Sequence, residues 1–370
     1  KGIYMNFNIK RSDLLPCLQC VSGNVERRQS LPILSNLLFN ITPNALSVTA
    51  SDMEVELVVD IEVKLEQTTK LTLPARKLLD ICRALPENST LEFDIQNEKA
   101  KIKSGKSRFT LATLPAQEYP VIDITDETVD FSLSHEKFSN LLANTQFAMA
   151  QQDVRYYLNG LLLEVAEKTI KAVATDGHRL AFDETDIKKS SDDTKQIIVP
   201  RKGVTELIRL LQTSQDDANI RISKNHIQIT SGNLSFTSKL IDGKFPDYQR
   251  VIPEISETVV TADREDLKNS LARASILSNE KYRGVKVAFS KDSLRILAHN
   301  PEKEEAEEEV SVVYQGEEME IGFNVSYLID ALSAIKTEKV VLSVLNPNSS
   351  CLIIPEQKAQ CQYVVMPMKL

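Results

Sequence analysis

The chain has 370 residues, a formal net charge of −8 at pH 7, 42% hydrophobic and 26% charged residues, and 11 glycines. That length exceeds what one hydrophobic core serves and predicts two or three domains, while the balance excludes extensive disorder and the acidic total excludes a global basic field for nucleic acid. Five cysteines scattered from Cys17 to Cys361 do not make a secreted disulfide framework, and without a long apolar run or a charged-then-apolar leader the chain is expected to be cytoplasmic.

The first predicted helix runs from Asp13 to Val21. It carries a lone Cys-x-x-Cys, Cys17 and Cys20, which helix-core spacing explains as well as a metal or redox role would. Two strand-like runs then flank a polar turn at Asp52 in LSVTASDMEVELVV. A helix follows from Pro74, with Leu78, Leu79, Cys82 and Leu85 at helical spacing and proline pre-organising its start. Alternating strand patterns close this stretch, one of them punctuated by Lys99, Lys101, Lys103, Lys106 and Arg108. The same order then returns twice. A helix from His135 to Phe147, the turn of Asp176 in TIKAVATDGHRLAF and a helix from Pro200 come next, followed by a helix from Asp263 to Leu277, the turn of Asn300 and a helix from Asn324. Asp52, Asp176 and Asn300 stand 124 positions apart, the later helix starts 126 and 124 apart, and Glu118-Tyr119-Pro120 recurs in kind as Lys244-Phe245-Pro246 after 126. This period predicts an α+β chain of three repeated domains, residues 5–125, 126–254 and 255–370. Each has two helices on antiparallel sheets and docks on the next without a glycine-rich linker.

Common catalytic signatures fail. The only Gly-Lys-Ser, at Gly105 to Ser107, has Ala100 where a phosphate-binding loop needs its first glycine, and the four histidines are dispersed. No metal or cofactor is expected, and a binding scaffold is favoured over an enzyme. Across the six helix windows (10–25, 75–86, 135–149, 201–212, 263–277 and 325–336) thirteen basic residues meet eight acidic ones, so the helices net +5 and the remainder −13. Helices facing one way would give a phosphate backbone a local basic footprint, although solvated helix faces give the same count. Residues 302–309 hold six glutamates, complementary to the lysine-punctuated strand. Those runs are read either as a solvated turn and a protected edge, or as two surfaces of different copies that dock head to tail. A domain of this size has a radius of gyration near ~14 Å and behaves as a sphere of roughly 18 Å radius. Six in a hexagon then leave a hole about 35 Å wide, whereas three leave only a few Å. Duplex DNA, on the order of 20 Å across, passes only the larger opening, which two chains would form.

The strings SLPILSNLL, QDVRYYLNG, VATDGHRLA, IVPRKGV, FTSKLIDGKFPDY, ILSNEKYRGV, EMEIGFNVSY and YVVMPMKL resemble those of the bacterial DNA polymerase III β subunits, the sliding clamps, in that family's order from Met5 to Leu370. Residues 1–4 precede the family's usual start and are expected to be non-native. The resemblance implies half of a homodimeric ring with helices inside and sheets outside. Such a ring encircles DNA without reading its sequence and gives the replicative polymerase processivity without catalysis. It also implies partners: duplex DNA, the polymerase III α subunit, an ATP-dependent clamp loader, and other polymerases and repair proteins that bring short clamp-binding peptides. By the family pattern the peptide pocket uses Leu158, Thr175, Gly177, His178, Arg179, Leu180, Pro246, Arg250, Val251, Ser350, Val364, Val365, Met366, Pro367, Met368, Lys369 and Leu370, with Lys369 standing where some relatives carry arginine. DNA contacts are implied at Arg28, Gln152, Tyr156 and Tyr157, beside the helix cations Arg76, Lys77, Arg83, Arg201 and Lys202. The subunit contact is implied at Phe109, Leu111, Ile276 and Leu277, flanked by Lys106, Arg108, Glu304, Glu305 and Glu308. A scaffold with no DNA role, and a hydrolase built on Asp176 and His178, are the competing readings.

Overall fold

The computed structural model describes residues 4–25, 31–65, 68–96, 98–124, 129–188, 194–212, 215–357 and 360–369. Ten elements occur three times in one order. The first set is β1 (Tyr4–Lys10), α1 (Arg11–Val21), β2 (Asn36–Ile41), β3 (Ala45–Ser51), β4 (Val55–Glu62), β5 (Thr69–Pro74), α2 (Ala75–Ala84), β6 (Thr90–Gln96), β7 (Lys99–Ser104) and β8 (Ser107–Ala112). The second is β9 (Val129–Leu133), α3 (His135–Ala143), β10 (Gly160–Val165), β11 (Thr169–Thr175), β12 (Arg179–Asp186), β13 (Lys195–Pro200), α4 (Arg201–Leu211), β14 (Ala218–Ile222), β15 (His226–Ser231) and β16 (Leu234–Lys239). The third is β17 (Val259–Asp263), α5 (Arg264–Ser275), β18 (Gly284–Ser290), β19 (Ser293–His299), β20 (Glu305–Val313), β21 (Met319–Asn324), α6 (Val325–Ala334), β22 (Lys339–Ser343), β23 (Cys351–Pro355) and β24 (Gln362–Val365).

Contacts group the chain into two units, Lys1–His135 with Thr205–Leu240, and Glu136–Val204 with Ile241–Leu370. The first unit holds a four-stranded sheet, β1-β6-β7-β8, and an eight-stranded one, β5-β2-β3-β4-β16-β15-β14-β9. The second holds a twelve-stranded sheet, β13-β10-β11-β12-β24-β23-β22-β17-β20-β19-β18-β21. The order β5-β2-β3-β4 therefore returns as β13-β10-β11-β12 and β21-β18-β19-β20, and β1-β6-β7-β8 returns as β9-β14-β15-β16 and β17-β22-β23-β24. Two repeats join by one rule: β4 pairs with β16, and β12 pairs with β24. All pairs are antiparallel, which short turns permit.

Local sequence explains these elements. In β7, Ala100, Ile102 and Ser104 point inward while Lys99, Lys101 and Lys103 stay exposed, the alternation of a sheet with one wet face. The Phe7 and Phe93 rings, register partners in β1 and β6, stack with centroids 4.6 Å apart. Helix α2 buries Ala75, Leu78, Leu79 and Cys82. Its C-terminal carbonyls are capped from a distance, because Arg11 Nε donates to Cys82 O at 2.6 Å. Arg264 serves α6 in the same way, donating to Leu332 O and Thr337 O. Asp263 caps α5 through the Asp266 N–H, and Asn324 caps α6 through the Ser326 N–H.

The structure departs from the sequence reading at several ends. Pro74 is the N-cap of α2 rather than its first turn. Helix α3 stops at Ala143, because the buried Thr145 hydroxyl turns back to Leu141 O at 2.7 Å and a 3₁₀ turn follows. Helix α5 stops at Ser275, leaving Ile276 75% exposed. Cys17 is buried and Cys20 half-buried, and no disulfide joins any of the five cysteines. Among the described residues no helix is long and apolar enough to cross a membrane.

Candidate functional site

In the second unit the β12–β24 pairing lays an apolar floor. Leu180 lies opposite Val364, which in turn lies opposite Leu352. These three and Leu158 are buried in one cluster with Leu162, Val173, Phe182, Ile198, Phe245 and Tyr248, against which Tyr157 and Val251 pack half-buried. The Phe182 and Tyr248 rings stack at 5.9 Å. The Tyr248 hydroxyl meets Glu164 Oε1 at 3.3 Å, and Lys171 and Gln196 donate to the same carboxylate. Burial pushes the Glu164 carboxyl up, but those donors outweigh it and hold the group below its ordinary value. Burial, aided by Glu164, pushes the Tyr248 phenol up.

The turn Thr175-Asp176-Gly177-His178 forms one rim. Asp176 Oδ1 accepts the N–H groups of His178 and Arg179, and Thr175 Oγ1 accepts that of Gly177 while donating to Arg179 O. Gly177 has φ +88, and a Cβ there would stand 3.0 Å from the Arg155 guanidinium, so glycine is required twice over. The first repeat builds the same turn from Ser51 and Asp52, whose side chains accept from Met53 and from Glu54 and Val55, but with Met53 at φ 74.

Arg179 fixes the turn from below. Its fork meets Asp176 at 3.1 Å, Asp330 of α6 at 2.5 Å and Phe147 O at 2.9 Å, and it lies 4.5 Å from the centroid of the Tyr327 ring. Burial, reinforced by Asp176, pushes the Tyr327 phenol up. Arg155 bridges Asp153 and Asp176 O, and its hydrogen bonds hold the Asp153 carboxyl down at about 2. The tail adjoins this turn. Val364 and Val365 are buried strand residues, the Met366 N–H donates to His178 O at 2.9 Å, and the Met368 N–H donates to Gly322 O at 2.8 Å. His178, Pro246, Arg250, Met366 and Lys369 are exposed, and Ser350 and Pro367 half-buried. An apolar floor bordered by the turn and the tail can take the side chains of an extended segment.

The other expected residues are placed as follows. Arg28 and Leu370 lie outside the described residues. Arg76, Lys77, Arg83 and Lys202 are exposed, Gln152 sits at φ 57, and Tyr156 is 57% exposed above Tyr157. Arg201 is half-buried and donates to Met149 O, and Arg209 pairs with Glu206 and donates to Cys20 O, so part of the helix charge is engaged within the fold. On β8, Arg108 is exposed, Phe109 half-buried, and Leu111 buried inside its own unit; Lys106 is exposed in the preceding turn. Leu277 is half-buried, Glu304 and Glu305 are exposed, and Glu308 pairs with Arg273 of the same chain at 2.6 Å.

Sequence reasoning missed Arg155, Phe245, Tyr248, Tyr327 and Asp330. Phe245 and Tyr248 flank Pro246 in the string KFPDY, where two aromatic residues in an otherwise polar stretch were the available signal. Asp330 stands 151 residues from Arg179 and carries no local signal.

Comparison with known proteins gives one family throughout. Family models of the DNA polymerase III beta subunit match residues 5–123 (N-terminal domain), 132–247 (central domain) and 249–369 (C-terminal domain). The beta sliding clamp of Pseudomonas aeruginosa is 49% identical over 367 residues, covering 99% of this chain and 100% of the relative. The crystal structure of the DNA polymerase III subunit beta from that organism is similar with a TM-score of 0.96 at 48% identity, over 99% of this chain and 100% of that one. A second P. aeruginosa sliding clamp structure, bound to griselimycin, has a TM-score of 0.95 at 48% identity, each chain being covered completely.

Proposed function

The chain belongs to the DNA polymerase III beta-subunit family, the non-catalytic beta sliding clamps, and on that premise we propose that two copies close into a ring around duplex DNA in the cytoplasm. The ring tethers the polymerase III α subunit, is opened by an ATP-dependent loader, and receives other polymerases and repair proteins at the β12–β24 floor. Each chain contributes three domains, residues 5–125, 126–254 and 255–370.

The observation that carries the ring is the joining rule. Within the chain, β4 takes β16 and β12 takes β24, so the third strand of this class, β20, calls for a strand equivalent to β16 and β24. That strand is β8, which among the described residues pairs only with β7. Among the described residues β20 offers an unpaired edge over most of its length, since its second partner, β17, reaches only Val312 and Val313. Exposed Lys106 and Arg108 lie at β8, and exposed Glu305, Glu307 and Glu309 on β20, so opposite charges favour this pairing. Joining β8 of each copy to β20 of the other satisfies both edges and closes the assembly at two chains.

Sequence-independent phosphate contacts through the helix cations suit a body that slides. For the peptide floor, the supporting feature is a buried apolar cluster bordered by main-chain groups of the turn and tail. The decisive experiment loads the protein on nicked circular DNA, raises the salt to screen phosphate contacts, and then linearises the circle. Release only after ends are created is expected. Equal loss from circles and linear DNA would refute encirclement.

A further inference from the structure

The β4–β16 join reproduces the backbone of the β12–β24 join. Glu56 lies opposite Thr237 as Leu180 lies opposite Val364, and the Lys239 N–H donates to Glu54 O as the Met366 N–H donates to His178 O. Thr49 and Thr72 occupy the register positions of Val173 and Ile198. Four apolar floor positions of the second join are thus polar and buried in the first, while Leu34 and Leu38 remain leucine like Leu158 and Leu162.

Glu56 and Thr72 of this set are engaged by the chain's own following segment. Glu56 Oε2 accepts the Ile122 N–H at 3.0 Å, Thr72 Oγ1 both accepts from Leu114 N and donates to Leu114 O at 2.9 Å, and the Tyr119 hydroxyl accepts the Ser51 N–H at 2.9 Å. An apolar side chain inserted there would strip these groups of partners that buried polar atoms require.

We infer that the first join is a closed copy of the peptide site, and that Thr49, Glu56, Thr72 and Thr237 restrict each chain to one peptide. This rests on the peptide reading of the second join. Specificity here is exclusion, a floor that rejects the ligand its twin accepts.

The test is calorimetric titration of the full-length dimer with a six-residue peptide carrying leucine and phenylalanine side chains. Wild type is expected to bind one peptide per chain, and Glu56→Gln, which keeps an acceptor for Ile122, also one. The variant Thr49→Val/Glu56→Leu/Thr72→Ile/Thr237→Val is expected to bind two, and Leu180→Gln/Val364→Thr none. A folded fourfold variant that still binds one overturns the inference. No binding to wild type refutes the peptide reading itself and is thereby distinguished. Should the fourfold variant not fold, amide exchange decides: the Ile122 N–H should exchange at least tenfold faster in Glu56→Ala than in wild type, and equal rates overturn the closure.

Discussion

Replacing Glu56 by glutamine removes a charge that the fold disfavours. The side chain is 7% exposed, and burial pushes its carboxyl up to about 7, the Ile122 N–H drawing it down and Asp123 adding to the rise. With the folded value above the unfolded one, the native state holds an extra proton between the two. Stability is therefore undiminished below the unfolded value of 4.5, falls as pH rises towards about 7, and stays low above it. The displacement from 4.5 to about 7 corresponds to about 3 kcal/mol of destabilisation in the ionised form. Glutamine mimics the protonated acid, keeps a carbonyl for Ile122 and does not titrate. Urea unfolding followed by tyrosine fluorescence, with wild type and Glu56→Gln compared from pH 4.5 to 8.5, should show near-equal stability at the acid end. A gain for the variant should then grow to about 3 kcal/mol by pH 8.5. A difference that does not change with pH, or a wild type more stable at pH 8.5, would refute the reasoning.

Gly177→Ala should cost about 1–3 kcal/mol and weaken peptide binding, because φ +88 and the Arg155 guanidinium both oppose a methyl group. Met53→Gly, at φ 74 in the twin turn, should instead stabilise by up to about 1 kcal/mol; thermal unfolding measures both. Removing residues 366–370 should lower peptide affinity in calorimetry with the dimer intact, whereas a cut before Val364 also removes half of β24 and is expected to damage the sheet. Ile276→Ala with Leu277→Ala should shift sedimentation towards monomer, each lost side chain being worth about 1.5–3 kcal/mol if the partner covers it fully. An unchanged sedimentation profile would dismiss that contact.

Period and helix starts were legible because they depend on short-range signals: a polar turn, a proline or asparagine before an amphipathic run, a strand with a wet face. Among the described residues all six helices start where those signals placed them, give or take a residue or two, although α3 and α5 end earlier. The joining rule was not legible, since β12 and β24 meet through residues such as Arg179 and Val365 that no local pattern links. The same holds for charge. Arg11 and Arg264 count as cations in any tally, yet their forks are occupied by helix-end carbonyls that only the fold brings near. At the site, resemblance supplied His178 and the tail, and the fold supplied Arg155, Tyr327 and Asp330, which hold the turn still. The polar substitutions at Thr49, Glu56, Thr72 and Thr237 are plain in the sequence but mean nothing until the register sets them against Val173, Leu180, Ile198 and Val364.

The central place of β24 also bears on how the molecule is made. Arg179 must wait for Val365 before its strand gains its second neighbour. During synthesis, at about 5–20 residues per second, that edge stays open for on the order of ten seconds or more, with Leu180 and Phe182 uncovered. Contacts this distant in sequence form late. The surface we propose as a docking floor in the mature protein is thus, in the nascent chain, an uncovered adhesive strip, and holdase chaperones should be found there.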